Sequence, residues 1–161
     1  MQGEVGSPNA LKTPIISRLM NLISHKFEKI RYNVCMTLAN ISFNYDGKEQ
    51  IVKKGHIKEI CEYINDKDAL VRESATLLLC SLAQLNQGKI EILDFCKFDD
   101  IIALLDDESP TVLNSVQLIA SLAENPKGRE ISTPHLNKID KLTTIERKYI
   151  DHTLDVIKWK P

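Results

Sequence analysis

The sequence predicts an all-α fold in which similar helical units stack into one α-solenoid, and three observations predict it. The stretch from Leu70 to Gly88 sets Val71, Ala75, Leu78, Leu79, Leu82 and Ala83 at three- and four-residue steps, the apolar stripe of a helix that faces a core. The chain contains such a stretch three times, from Ile30 to Gly47, from Leu70 to Gly88 and from Thr111 to Gly128. The glycines that end them lie 41 and then 40 residues apart, which places Val34, Ala75 and Ser115 in one register. Leu38, Leu79 and Ile119 share the next position, and Ile41, Leu82 and Leu122 the one after. A helical period near forty marks units that cannot bury an apolar face alone and so share one elongated core. Each closing glycine is expected to end its long helix in a left-handed turn.

Composition narrows the function. At 161 residues and 43% apolar content the chain can build one domain with a core. Its 21 basic and 22 acidic residues give a net charge of −1, so nothing electrostatic favours nucleic acid or an anionic membrane. No apolar run is long enough to cross a bilayer, and Met1 to Lys12 lacks the apolar segment of a signal peptide. Cys35, Cys61, Cys80 and Cys96 form no Cys-x-x-Cys pair, and Cys80 stands where Ala39 and Ala120 stand in the register. Reduced core thiols in a cytosolic or nuclear compartment are the expectation.

In chain order, residues 1–12 read as a flexible N-terminal segment and residues 13–161 as the repeat domain. Thr13-Pro14 caps a helix carrying Ile15, Ile16, Leu19, Met20, Leu22 and Ile23. Ser24 to Lys29 is a polar break, and the first long helix covers Ile30 to Phe43. A short helix from Lys48 to Lys54 ends at Gly55, which turns the chain into a middle helix through Ile57, Ile60 and Ile64. Asp68 is the N-cap of the second long helix. Short and middle helices follow over Lys89 to Phe95 and Asp99 to Leu105, and Ser109-Pro110 caps the third long helix, which Asn125-Pro126 ends. Beyond Gly128 the pattern degrades. Arg129 to Ser132 is too short for a full first helix, Thr133-Pro134 caps a brief one with Leu136, Ile139 and Leu142, and Thr143-x-x-Glu146 forms a capping box. The last helix runs to Lys158, with Ile145, Tyr149, Ile150, Val156 and Ile157 on its apolar side and an Arg147–Asp151 pair on its wet side. The units therefore span about 13–47, 48–88 and 89–128, with a degenerate C-terminal cap over 129–161. No matching seal precedes unit one, so Ile15, Ile16, Leu19 and Met20 are expected to line an exposed apolar N-terminal end that meets a partner or a second copy.

The residues carry no chemistry. His25, His56, His135 and His152 share no metal spacing, the acidic runs Asn65-Asp66-Lys67-Asp68 and Asp106-Asp107-Glu108 are turns without a calcium-loop pattern, and the glycines form no phosphate-binding motif. No catalytic residue, cofactor, metal or small-molecule substrate is expected, and the chain reads as a non-enzyme. Trp159, the sole tryptophan, is either a staple onto the preceding helix or an anchor for a partner.

Three helices per unit, Gly55-x-Ile57-x-x-Ile60 into the middle helix, and Val71-Arg72-x-x-Ala75-x-x-x-Leu79-x-x-Leu82-Ala83 on the long helix together resemble the armadillo repeat over about Pro14 to Ser132. HEAT repeats have two helices and lack the Gly-x-Ile turn, so they come second. Within the armadillo class, Leu38-Ala-Asn-Ile-Ser42 with Gly47-Lys48, Leu113-Asn114 with Ser121 to Gly128, and the ending Val156-Ile157-Lys-Trp159-Lys-Pro161 are similar to the radial spoke head protein fourteen family of motile cilia. Members of that family are longer, and the resemblance places this chain at their C-terminal half. It implies a structural subunit of the axonemal radial spoke, with spoke subunits as partners. The alternative is a cytosolic armadillo adaptor that binds a helix or an extended peptide.

The armadillo resemblance also implies a concave groove lined by the long helices. Its ladder here is Asn33, Met36 and Asn40, then Ser74, Leu77 and Ser81, then Asn114, Gln117 and Ser121. The import receptors of the superfamily set a Trp four residues before an Asn. Asn40 matches the Asn, but Met36 takes the Trp position, and Leu77/Ser81 and Gln117/Ser121 match neither. Basic import signals are therefore not the expected ligand. The ladder carries no charge, which suits a helix or an extended peptide.

Overall fold

The computed structural model describes residues 14–160, and the expectations placed on residues 1–12, on Thr13 and on Pro161 lie outside them. Eleven α-helices and no strands are found among the described residues. They are α1 (Ile15–Met20), α2 (Glu28–Ser42), α3 (Tyr45–Lys53), α4 (Ile57–Cys61), α5 (Ala69–Leu82), α6 (Asn86–Phe95), α7 (Phe98–Ala103), α8 (Ser109–Ala123), α9 (Pro126–Ser132), α10 (Leu136–Asp140) and α11 (Arg147–Lys158). Helices α4 and α7 each tighten into a 3-10 turn, over Glu62–Asn65 and Leu104–Asp106.

The long helices α2, α5, α8 and α11 pack side by side in chain order, and the short and middle helices cover them. The register read from the sequence is a register of environments. Val34, Ala75 and Ser115 are all buried, and so are Leu38, Leu79 and Ile119. One apolar cluster runs from Ile16 to Ile157 through all four units. The last unit keeps all three of its helices in shortened form as α9, α10 and α11, and α11 packs on α8 as α8 packs on α5.

Gly47, Gly88 and Gly128 do not close the long helices. Each lies inside the first turns of the following short helix, α3, α6 or α9, and among the described residues only Gly55 has positive φ, at 72°. Their role is close approach. A Cβ at Gly88 would stand 2.9 Å from the Leu82 carbonyl carbon and nearer still to its oxygen. Gly47 faces Ile41, and Gly128 faces Leu122, in the same way. The period is carried by a contact between consecutive helices and not by a left-handed turn.

Several caps also differ. Asp68 accepts from the Val71 N–H at 3.1 Å, as its position predicts. Ser109 is not a cap: Glu108 holds that position, and the Ser109 hydroxyl donates to the Thr144 carbonyl of the next unit at 3.1 Å. Asn44 and Asn125 cap short helices, accepting from Asp46 N and Lys127 N. No capping box forms at Thr143, because α11 starts only at Arg147 with Glu146 before it. Arg147 makes the expected pair with Asp151 at 2.7 Å.

The cysteines depart most from expectation. Cys61, at the end of α4, is bonded to Cys96, just after α6, in a disulfide that spans 35 residues. Cys35 and Cys80 are free. Four reduced thiols are thus not what this fold holds, and the cytosolic or nuclear compartment inferred from them loses that support. Short cysteine spacings cannot reveal the pairing, since it joins neighbouring units through space. No helix among the described residues is long and apolar enough to cross a membrane.

Candidate functional site

The sequence-predicted ladder occupies three long helices, and its nine residues separate by what lies beside them. Met36, Leu77 and Gln117 form the middle column, one half-exposed side chain on each of α2, α5 and α8. In the outer columns, Ser81 and Asn114 reach the preceding long helix. Ser74 is buried and donates to the Val71 carbonyl at 3.0 Å. Ser81 is buried and donates to the Ser42 carbonyl at the end of α2 at 3.1 Å. Asn114, half-exposed, reaches the Glu73 carbonyl of α5 at 3.5 Å. Ser74 and Ser81 therefore do not line a free surface: both are buried, Ser81 against the end of α2. Ser121 is half-exposed. Asn33 and Asn40 are exposed and make no side-chain hydrogen bond to the described residues, among which no long helix precedes α2.

Two polar ladders, absent from the sequence expectations, hold consecutive units in this register. Arg31 grips Asp66 through two bonds of 2.6 and 2.8 Å, and its remaining nitrogen donates to the His25 carbonyl at 2.9 Å. One unit on, Arg72 grips Asp107 at 2.6 and 2.9 Å and donates to the Asp66 carbonyl at 2.9 Å. Paired hydrogen bonds of this kind fix geometry as well as charge. The Arg72 guanidinium holds the Asp107 carboxyl below its ordinary value, against the opposing effect of burial. Both arginines and both aspartates recur at a spacing of 41, so the signal is present in the sequence.

The second ladder starts from the residue after each close-approach glycine. Lys48 donates to the Gln84 side chain, Lys89 donates to Glu124, and Arg129 lies over the Trp159 ring at 5.0 Å. Gln84, Glu124 and Trp159 each stand at the C-terminal end of the next long helix. Burial lowers the Lys48 pKa, the expected direction for a cation that meets a neutral amide. Trp159 is thus stapled on one side by a cation while 56% of its surface stays open. It walls a shallow groove with Glu124, Arg129, Asp155 and Val156.

At the N-terminal end, Ile16 and Met20 are buried and Ile15 and Leu19 are half-buried. This end is therefore less open at α1 than expected, because α1 packs its apolar side on α2. The exposed apolar groups there are Leu22, Phe27, Phe43 and Tyr45. Among the described residues no group of three His, Cys, Asp or Glu side chains is placed to hold a metal ion. Burial pushes the Cys35 thiol up to about 12 and the Cys80 thiol up to about 11.

No protein-family model matches the chain. Its structure is similar to that of an engineered protein, with TM-score 0.84 and 22% identity over 96% of this chain and 69% of that one. It is similar to a designed armadillo repeat protein in complex with the peptide (KR)4, with TM-score 0.83 and 18% identity over 96% of this chain and 70% of that one. A second designed armadillo repeat protein gives TM-score 0.82 and 20% identity over 96% and 71%. Likeness at such identity speaks to the fold, and the chain folds as an all-α, armadillo-type solenoid.

Proposed function

We propose that the chain is a non-enzymatic protein-binding scaffold that seats a helix or an extended segment of a partner along its long-helix layer. The observation that carries this reading is the middle column, Met36, Leu77 and Gln117, repeated once per unit on neighbouring helices and left half-exposed by a fold that buries the residues on either side of Leu77. An armadillo fold with a bound peptide, as in the designed protein that carries (KR)4, supports the mode of binding. The ligand class differs. Met36, Leu77 and Gln117 offer apolar and amide contact without charge, which suits a neutral or mixed segment better than a run of cations.

The finer reading is a structural subunit of the axonemal radial spoke. It rests on the sequence likeness of Leu38 to Ser42, Ser121 to Gly128 and the Trp159-Lys-Pro ending to that ciliary family. Tagged protein in ciliated cells tests both levels. Recovery in the axoneme together with spoke subunits supports the finer reading, and its absence from cilia removes it. Leu77→Arg tests the coarser one: it should abolish partner capture while the helical circular dichroism spectrum is kept. Capture that survives Leu77→Arg places the binding surface elsewhere. A capture dominated by one non-ciliary protein and lost in Leu77→Arg supports the adaptor reading.

A further inference from the structure

Two grooves meet at Trp159, and their charges differ. The shallow groove it shares with Val156 carries the carboxylates of Glu124 and Asp155, and Lys89 already meets Glu124. The second groove, of about 480 Å³, lies between the end of α11 and helices α9 and α10. Its floor is aliphatic: Leu136 is half-buried and Ile157 is 4% exposed. Its rim carries Arg129, Lys158 and Lys160 against one carboxylate, that of Glu130. None of these four forms an ion pair with another of the described residues. The rim is thus net positive in a chain whose net charge is −1.

The repeat explains why this charge is unmet. One unit earlier, Lys89 meets the Glu124 carboxylate at the end of the next long helix. In the last unit Trp159 stands in that place, so Arg129 faces a ring instead of an anion. Arg129 is also held still, donating to the Ala123 and Glu124 carbonyls at 3.0 and 3.2 Å. A fixed cation and two exposed lysines around an aliphatic floor complement carboxylates that flank an aliphatic side chain. A half-open tryptophan beside them is the residue type that anchors interfaces. We propose that this groove docks an acidic linear segment of a partner protein, one with an aliphatic side chain between its carboxylates. An anionic bilayer would reach the raised ring and the lysines but not the recessed Ile157. A nucleic-acid strand would find a single aromatic platform with Arg129 already over it. The groove is independent of the middle column, so either reading can fail alone.

Trp159 is the sole tryptophan, so its fluorescence reports on this place alone. The test titrates the full chain with the peptide acetyl-Glu-Glu-Leu-Leu-Glu-Glu-amide up to millimolar concentration, because a contact this small is weak beside a full interface. A saturable blue shift is expected as the peptide covers the ring. The same peptide with Lys in place of every Glu should give none, and Ser in place of both Leu should weaken binding. Lys158→Glu combined with Lys160→Glu, both at exposed positions, should abolish the shift and keep the helical circular dichroism spectrum. Leu77→Arg should leave the shift intact. No shift at any concentration overturns the proposal, and so does a shift that survives the double charge reversal or is lost in Leu77→Arg. A Lys peptide that binds as well as the Glu peptide overturns it by placing the occupant on the Asp155 side. A larger shift with phosphatidylserine vesicles or single-stranded oligothymidine than with the Glu peptide overturns it in favour of that ligand.

Discussion

Gly88→Ala sets close approach between helices against the ordinary propensity effect of a glycine in a helix. Gly88 lies within α6, where replacing glycine by alanine favours the helix by about 1 kcal/mol. The new methyl, however, would sit 2.9 Å from the Leu82 carbonyl carbon and nearer to the oxygen, which already accepts from Leu85 N at 3.1 Å. The obstacle is backbone and cannot rotate away, so α6 must move off α5. Overpacking of this order costs roughly 1–3 kcal/mol after relaxation, and it must also outweigh the propensity gain. A net loss of about 1 kcal/mol lowers the melting temperature by about 2–4 °C for a domain of this size. Thermal unfolding followed by circular dichroism reads the change, with exposed Asn86→Ala in the same helix as the control. Gly47→Ala and Gly128→Ala should behave alike, because Ile41 and Leu122 stand where Leu82 stands. A Gly88→Ala protein that melts at or above the parent temperature would show that the unit-to-unit contact has been misread.

Other expectations follow from the same contacts. Leu79→Ala, in the fully buried middle of α5, should cost roughly 2–5 kcal/mol in a denaturant titration. Reduction of Cys61–Cys96, which closes a loop of about 35 residues, should lower stability by about 2–4 kcal/mol, and unfolded, unreduced protein should titrate two thiols instead of four. Cys35 and Cys80, with thiols raised to about 12 and about 11 by burial, should resist alkylation in the native protein at neutral pH. The Asp107 carboxyl is held low by Arg72, so its share of stability is complete above the unfolded carboxyl value, about 4, and is lost as pH falls through the lower folded value. Asp107→Asn should therefore be less stable at neutral pH and lose less on acidification.

The fold is legible in the sequence because burial repeats. Val34, Ala75 and Ser115 differ in chemistry but share a position, and a period near forty can arise only if the same helix face is buried each time. Boundaries are less legible where signals fall just past an element: Asn125, one residue beyond the Glu124 C-cap of α8, caps α9, and Gly47 resembles a stop signal while lying inside α3. Contacts between units are hidden where their spacing is close to a whole repeat. Arg31 with Asp66, Lys89 with Glu124 and Cys61 with Cys96 are each separated by 35 residues, so no local pattern announces them. The ladder is legible as three positions per helix. The burial of Ser74 and Ser81 is not, because a small polar residue reads the same on a wet face and in a tight helix seam.

If the long-helix layer is the surface by which this solenoid is held, a partner must lie within reach of its middle column. Photo-cross-linking from two positions in the full chain, within its native extract, asks this question of the molecule itself. One probe replaces half-exposed Leu77 on α5, and the other replaces exposed Lys58 on the middle helix α4. Covalent capture of a protein partner is expected from position 77, with none above background from position 58. Equal capture from both, or capture from 58 alone, would place the binding surface off the long-helix layer.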